Sequence, residues 1–90
     1  MRVPVYARQF EKDLRLQQKR GKNLEKLKII IGALAAGETL DAIHREHKLV
    51  GAWSGRRECH IESDWLLIYK IEPSAIIFER TGSHADLFLL

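Results

Sequence analysis

The stretch RECHIESDWLLIYK, residues 57–70, decides the fold that we predict for this chain. Residues 56–61 alternate between apolar and polar side chains, with Cys59 on the apolar side, which is typical of a strand with one buried face. Residues 65–71 are almost continuously apolar, as expected for a central strand. Because only residues 62–64 connect these two segments, the sequence predicts an antiparallel hairpin.

The segments on either side of this hairpin complete an α+β pattern. Downstream, residues 75–80 form a third strand after a turn at 72–74, and the tail 85–90 adds an edge strand or a turn. The predicted upstream elements are a strand at 2–7, helices at 7–20 and 24–36, and a short helical turn at 39–46 that leads into a loop. The order β-α-α-β-β-β predicts a mainly antiparallel sheet with two helices on one face.

Length and composition predict one domain, residues 1–90. Apolar residues make up 46% of the sequence, which excludes a disordered chain, and we expect no membrane association because the apolar runs are too short to cross a bilayer. The first ten residues lack the hydrophobic run of a secretory signal. One cysteine, Cys59, cannot form an internal disulfide, which favours a cytoplasmic location.

Positive charge is concentrated near the start of the chain. Residues 1–28 carry nine Lys or Arg against three Asp or Glu, a balance of +6, whereas residues 29–90 carry six against nine, a balance of −3. Basic residues spaced to share one face of the first helix are Arg8, Lys12, Arg15 and Lys19. This distribution favours a polyanion or an acidic protein as partner; a solvated helix surface is the alternative interpretation.

Ionisable side chains recur near the ends of the predicted strands. The candidates are His47, His60, Asp64, Arg80 and His84. If residues 65–71 pair with both neighbouring strands, we expect the ends of strands 56–61 and 75–80 to lie at opposite ends of the central strand. This expectation argues against direct contact between His60 and Arg80, unless the register is offset or the sheet is curved.

Each candidate also has a purely structural interpretation. A loop histidine is commonly solvated, Asp64 is of a type common in turns, Arg80 has acidic residues to pair with, and Trp65 suits a core. The spacing of the cysteine and histidines matches no closed four-ligand zinc pattern, and adjacent Cys59 and His60 point to opposite faces of a strand. We therefore predict no metal and no cofactor. The sequence also lacks a glycine-rich phosphate loop and a serine nucleophile elbow.

A basic domain that carries histidines, an aspartate and an arginine suits phosphodiester cleavage. That reaction needs a base for the nucleophile, an acid for the leaving oxygen and a cation at the phosphate. Histidine serves both proton-transfer roles near neutral pH. RNA supplies its own nucleophile, the 2′-hydroxyl, so its cleavage needs no metal.

Two segments of the chain resemble one known family. HKLVGAWSGRRECHIESDWLLIYKI at residues 47–71 and FERTGSHADLF at 78–88 are similar to the YafQ branch of the RelE/ParE toxin superfamily. That branch has the pattern H-x-L-x-G-x-W-x-G-x-R-x-x-H-x-x-x-D-W-x-L-I-Y followed by R-T-G-[ST]-H-x-x-L-F. The first half, with F-x-K-D-L and K-R-G-K, agrees in layout. The resemblance implies a RelE-like fold and a ribosome-dependent endoribonuclease, the toxin of a type II toxin–antitoxin pair, that cuts translated mRNA.

The resemblance also implies an active set, by matching position. Its members are His47, His60, Asp64, Arg80, His84 and Phe88, with Trp65 beside them. His84 is then the general acid, and His60 or Asp64 the base or the residue that orients it. Arg80 is expected at the scissile phosphate.

RNA contacts and partners follow from the same resemblance. Arg80, Trp65 and Phe88 are expected to contact RNA, with Phe88 as a surface on which a base stacks. The implied partners are a cognate antitoxin, the ribosome and mRNA, with operator DNA reached only through the antitoxin complex. Two alternatives remain open: a ParE-like inhibitor of DNA gyrase on the same fold, which does not need the His-Asp-His set, and a non-catalytic module that binds nucleic acid or an antitoxin.

Overall fold

Residues 1–88, which the computed structural model describes, form five short strands and three α-helices. In chain order the elements are β1 (Val3–Tyr6), α1 (Arg8–Lys19), α2 (Leu24–Ala35), β2 (His47–Lys48), β3 (Arg57–Glu62), β4 (Trp65–Ile71), β5 (Ala75–Gly82) and α3 (His84–Phe88). Turns of 3₁₀ helix, Ala42–His44 and Gly51–Trp53, lie on either side of β2. Within residues 1–88, no helix is long and apolar enough to span a membrane.

The strands of residues 1–88 form one five-stranded sheet in the order β1-β5-β4-β3-β2. β1 runs parallel to β5, and the other neighbouring pairs are antiparallel. The predicted α+β class and the mainly antiparallel sheet are confirmed. The two-residue β2 was predicted as loop, because a segment this short shows no alternation that a sequence could reveal.

Both long helices pack on one face of the sheet. Phe10 of α1 and Leu27, Ile30 and Leu34 of α2 are buried there. The strand residues of this core are Cys59, Ile61, Trp65, Leu67, Tyr69, Ile76 and Phe78. Burying each large apolar side chain stabilises the fold by about 1.5–3 kcal/mol relative to leaving it exposed.

The opposite face of the sheet carries a smaller apolar cluster. Leu66 and Ile68 of β4 form it with Leu87 of α3, and the partly buried Leu49, Trp53 and Phe88 pack around them. β4 is therefore buried on both faces, which is the physical reason for its nearly continuous apolar sequence. The polar candidates of β3 share this second face, as described below.

The tail after β5 corrects one prediction. Residues 85–88, which were expected in an edge strand or a turn, belong to helix α3. The Asp86 N–H donates to Ser83 Oγ at 3.1 Å, and the Ser83 N–H donates to Asp86 Oδ2 at 2.9 Å. This reciprocal capping stabilises the first turn of a helix and prevents an extended tail. The rest of that prediction, residues 89–90, lies outside the described residues.

The ends of β3 and β5 correct a second prediction. We expected them at opposite ends of β4, but His60 near the end of β3 and Gly82 at the end of β5 both pair with Leu66, near the start of β4. Two strands that both run antiparallel to a central strand run parallel to each other, so both end where that strand begins. The topology itself thus brings the two strand ends to one edge of the sheet.

Candidate active site

Two rows of cross-strand neighbours organise the face that lies opposite α1 and α2. The row at the middle of β4 consists of His47, Glu58, Ile68 and Arg80. The row near the start of β4 consists of His60, Leu66 and Gly82. Residues directly opposite each other share a face, and Leu66 and Ile68 belong to the apolar cluster on that face. The register therefore places the polar members of both rows on the same side of the sheet.

His84 begins α3 and is held by Asp64 of the β3–β4 turn. The His84 N–H donates to Asp64 Oδ1 at 2.9 Å, and His84 Nδ1 lies 2.6 Å from the same oxygen. These two contacts lower the pKa of Asp64, so its carboxylate is ionised at neutral pH. Because an ionised carboxylate only accepts, His84 Nδ1 carries the hydrogen and Nε2 is left for a bound molecule.

His60 and His84 face each other across the edge of the sheet. Their ring centroids are 5.7 Å apart, with 56° between the ring planes. The His60 side chain is 13% exposed and that of His84 50% exposed. His60 Nδ1 lies 3.2 Å from the Ser63 carbonyl oxygen, which only accepts, so Nδ1 carries a hydrogen here too. Both rings therefore keep Nε2 for proton transfer.

Glu58 is a functional candidate that the sequence argument missed. Its Oε1 lies 3.5 Å from Nε2 of His60 and 3.5 Å from Nε2 of His47, and its side chain is only 6% exposed. Burying a carboxylate costs free energy unless it is paired, so this placement indicates that Glu58 pairs with the two imidazoles. The spacing of Glu58 and His60, two residues apart on one strand face, was the signal that could have found it.

Arg80 is held by a second residue that the sequence argument missed. Its Nε donates to Asp13 Oδ2 at 2.7 Å and its Nη2 to Asp13 Oδ1 at 3.2 Å. Within residues 1–88, Arg80 makes no ion pair with Glu58 or Glu79, the acidic residues nearest to it on the strands. Asp13 lies one turn after Phe10 on the buried side of α1, where an acidic residue is unusual and is the signal that could have revealed it.

Trp65 does not have the place expected of an RNA-contacting residue. Its side chain is fully buried on the helix side of the sheet, and its Nε1–H donates to Thr81 Oγ1 at 2.9 Å. As the first residue of β4, Trp65 points into the core, so its ring offers no face to an RNA base. Phe88 is half-buried, and its ring centroid lies 6.3 Å from that of His84, beside the site.

The two remaining histidines, His47 and His44, lie on the side of the site next to β2. His47 is half exposed, with Nδ1 2.7 Å from the Arg45 carbonyl oxygen. His44, which the sequence argument did not consider, has Nδ1 2.7 Å from the His60 carbonyl oxygen and so supports the strand that carries His60. A cavity of about 390 Å³ lies next to His60 and is lined by Ile43, His44, Arg45, Ile61, Glu62 and Ser63.

The lone thiol lies outside this constellation. Cys59 is fully buried in the core on the helix side, and burial, reinforced by the Glu46 and Glu58 carboxylates, raises the pKa of its thiol to about 12. Among residues 1–88, no group of three or more His, Cys, Asp or Glu side chains is arranged to hold a metal ion.

The fold and this site define a bacterial toxin of the type II toxin–antitoxin class. Residues 2–89 match the family described as the bacterial toxin of type II toxin–antitoxin system, YafQ, and the chain belongs to that family. The predicted family and toxin class are confirmed.

Similar proteins of known name agree with this assignment. The mRNA interferase toxin YafQ of Escherichia coli K12 is 45% identical over 84 residues, which are 92% of this chain and 91% of that protein. YafQ in the E. coli DinJ–YafQ complex has a TM-score of 0.91 at 44% identity, covering 98% of this chain and 99% of the other. A metal-bound toxin from Helicobacter pylori has a TM-score of 0.92 at 34% identity, covering 98% and 100%. The name of the E. coli relatives agrees with the predicted endoribonuclease activity.

Proposed function

We propose that this chain is an mRNA interferase, an endoribonuclease of the cytoplasm that cuts translated mRNA and so inhibits translation and growth. The observation that carries the proposal is the pair His60 and His84, 5.7 Å apart, each next to a carboxylate. Two imidazoles backed by carboxylates are the groups that acid–base cleavage of a phosphodiester requires. The 45% identity to an mRNA interferase supports the same reaction.

The geometry favours His60 as the base and His84 as the acid. His60 Nε2 takes the proton of the RNA 2′-hydroxyl while O2′ attacks the adjacent phosphorus. The bond from phosphorus to O5′ breaks, and His84 Nε2–H gives a proton to the departing O5′. The products are a 2′,3′-cyclic phosphate and a 5′-hydroxyl. Asp64 contacts His84 Nδ1, so we assign it as the residue that orients the acid. Glu58 lies 3.5 Å from His60 Nε2, the atom that takes the proton, so we assign it as the carboxylate that stabilises the protonated base.

Other members of the site bind the RNA. Arg80 supplies positive charge to the phosphate, where charge develops during attack. Phe88, next to His84, offers a surface on which a base stacks.

His47 shares the Glu58 carboxylate with His60 and lies on the same sheet face, so it joins the catalytic set as a neighbour of the base.

One experiment on product chemistry tests the reaction. The isolated toxin is given a short RNA, and the same RNA with a single 2′-deoxy nucleotide at the cut site; a parallel arm uses mRNA on translating ribosomes. We expect cleavage of the all-RNA substrate to a cyclic phosphate, and no cleavage at the deoxy position. Cutting of the deoxy substrate, or a 5′-phosphate product, would overturn the mechanism. Arg8→Ala on the exposed surface of α1 is the control variant, and His84→Ala the inactive one.

We propose further that an acidic cognate antitoxin binds the basic surface of α1. Lys12 and Arg15 are exposed there, and the E. coli relative is known in a complex with DinJ. Charge of this kind makes binding weaken as salt is added. Lys12→Glu with Arg15→Glu should weaken capture by the co-expressed antitoxin, whereas Lys70→Glu, at the far end of β4, should not. Equal capture of both variants at all salt concentrations would contradict the proposal.

A further inference from the structure

Asp13 of α1 is buried beneath Arg80 and is fully hydrogen-bonded. Its side chain is 8% exposed. Oδ2 accepts from Arg80 Nε at 2.7 Å and from the Thr81 N–H at 3.1 Å, and Oδ1 accepts from Arg80 Nη2 at 3.2 Å and from Gln9 Nε2 at 3.0 Å. A carboxylate with four donors and almost no solvent contact has one orientation, so it fixes whatever it holds.

We propose that Asp13 is the positioning residue for Arg80, and that it sets the guanidinium in the orientation in which it binds the scissile phosphate. This inference rests on the proposed ribonuclease function. The Nε and Nη2 contacts form a two-point fork, which fixes the plane of the guanidinium as a single contact would not. Within the part of the chain described here, Nη1 makes no hydrogen bond, so its donors remain for a phosphate oxygen.

The same carboxylate connects Arg80 to the end of the strand that leads to His84. Thr81, whose N–H donates to Asp13, also accepts from Trp65 Nε1–H and donates its hydroxyl to the Leu66 carbonyl at 2.8 Å. Trp65 is near the active residues in sequence, but its buried indole N–H binds Thr81 and so holds the end of β5 from the core side. Asp13 therefore fixes both the guanidinium and the backbone from which it extends.

Orientation and charge act in opposite directions at this contact. Asp13 offsets part of the positive charge of Arg80, so removing the carboxylate leaves a stronger but mobile cation. A mobile guanidinium still attracts RNA but is poorly placed as charge develops at the phosphate, and misplaced groups lose much of their catalytic effect. Asp13→Asn should therefore slow cleavage at saturating RNA about 10- to 100-fold without weakening RNA binding. If Asp13 served only the stability of the fold, Asp13→Asn would lower cleavage and RNA binding together, in proportion to the unfolded fraction.

The test uses wild type, Asp13→Asn, Arg80→Ala and the double variant, in single-turnover cleavage of a short RNA, with RNA affinity and folded fraction measured alongside. Asparagine keeps the size of the side chain and an acceptor for the Thr81 N–H. We expect Arg80→Ala to be deficient and the double variant to match it within about twofold, because Asp13 acts through Arg80. Wild-type cleavage by Asp13→Asn would overturn the inference. So would a double variant in which Asp13→Asn slows cleavage as much beside Arg80→Ala as it does in the wild-type protein.

A second variant leaves Asp13 in place and covers the case in which Asp13→Asn does not fold. Arg80→Lys keeps the charge but cannot form the two-point fork, so we expect a loss close to that of Arg80→Ala. Cleavage within about threefold of wild type by Arg80→Lys would contradict positioning. The proposed function fails separately: a wild-type protein that does not cut RNA would overturn it. Wild-type cleavage by Arg80→Ala would instead remove the phosphate-binding role of Arg80 and, with it, the positioning role of Asp13. A deficient Arg80→Ala beside a fully active Asp13→Asn would overturn only the role of Asp13.

Discussion

Arg20 at the end of α1 holds Asp86 of α3 through two parallel hydrogen bonds. Nη1 lies 2.5 Å from Asp86 Oδ2, and Nη2 lies 3.0 Å from Oδ1, across 66 residues of sequence. The same carboxylate accepts from the Ser83 N–H. These contacts lower the pKa of Asp86, with the Arg20 guanidinium as the largest cause. Helix α1 thus fixes the short helix that carries His84.

Asp86→Asn should destabilise the protein in a pH-dependent way. The folded state lowers the pKa of Asp86 below its ordinary value of 3.8, so the stabilisation is complete above that value and is lost as the pH falls toward the lower folded pKa. We expect Asp86→Asn to lower the melting temperature by about 5 °C at neutral pH, and the difference from wild type to shrink below about pH 4. Thermal unfolding from pH 7 to pH 2 measures it, with exposed Glu38→Gln as control. A difference that grows in acid would contradict the assignment.

Gly82→Ala should displace α3. A Cβ at Gly82 would lie 2.9 Å from both Cβ and Oδ2 of Asp86, closer than side chains approach. We expect a loss of about 1–3 kcal/mol in the free energy of unfolding and a loss of cleavage beyond the unfolded fraction, because α3 positions His84. The matched control is Gly32→Ala in α2, which meets no atom within 4 Å and should stabilise by about 0.5–1 kcal/mol. Denaturant unfolding and single-turnover cleavage check both, and full activity of Gly82→Ala would contradict the prediction.

The fold was largely predictable because its elements have strong local patterns. The apolar run of β4 and the helical periodicity of α2 appear at once in the sequence, and the structure places these elements at Trp65–Ile71 and Leu24–Ala35. Helix α3 was missed because its signal is only the Ser83–Asp86 capping pair. The strand-end error had another origin: it was a mistake about the topology, since the correct arrangement follows from two antiparallel pairings.

The sequence predicted several residues that the structure brings to one edge of the sheet, but not their contacts. Matching positions named His60, Asp64 and His84, which the structure brings together. No local pattern could join Asp13 to Arg80, because that contact spans 67 residues and depends on how α1 packs against β5. Trp65 was assigned to RNA from the family resemblance, and a matched position does not show to which face of the sheet a side chain points.

The Cys59 thiol should be unreactive in the folded protein. Its pKa of about 12 leaves almost no thiolate at pH 8, and the side chain is inaccessible. We expect a thiol reagent to label the chain in denaturant but not under native conditions. Cys59→Ala should cost about 0.5–3 kcal/mol of stability and leave cleavage per folded molecule unchanged. Rapid native labelling, or loss of cleavage in a folded Cys59→Ala protein, would count against a structural role.

Glu58→Gln should impair catalysis more than stability. Glutamine keeps the shape of the side chain but removes the charge that lies 3.5 Å from His47 and His60. We expect cleavage to fall about tenfold to a hundredfold, because a carboxylate that stabilises the protonated base contributes part of the 10²–10⁴-fold effect of a general base. RNA affinity should change little. Glu79→Gln, which removes a carboxylate paired with Arg56, is the control; equal effects of the two substitutions on cleavage would argue against the role of Glu58.

The contact between Asp64 and His84 allows a direct test of His84 as the general acid. The Asp64 side chain is 64% exposed, so Asp64→Ala leaves no buried cavity and water replaces its hydrogen bonds. We expect His84→Ala to lose about 10²–10⁴-fold in single-turnover cleavage and Asp64→Ala to lose less, because the imidazole remains but is no longer held in one orientation. The double variant should match His84→Ala, since Asp64 acts through that ring. Additive losses in the double variant would show that Asp64 serves another group.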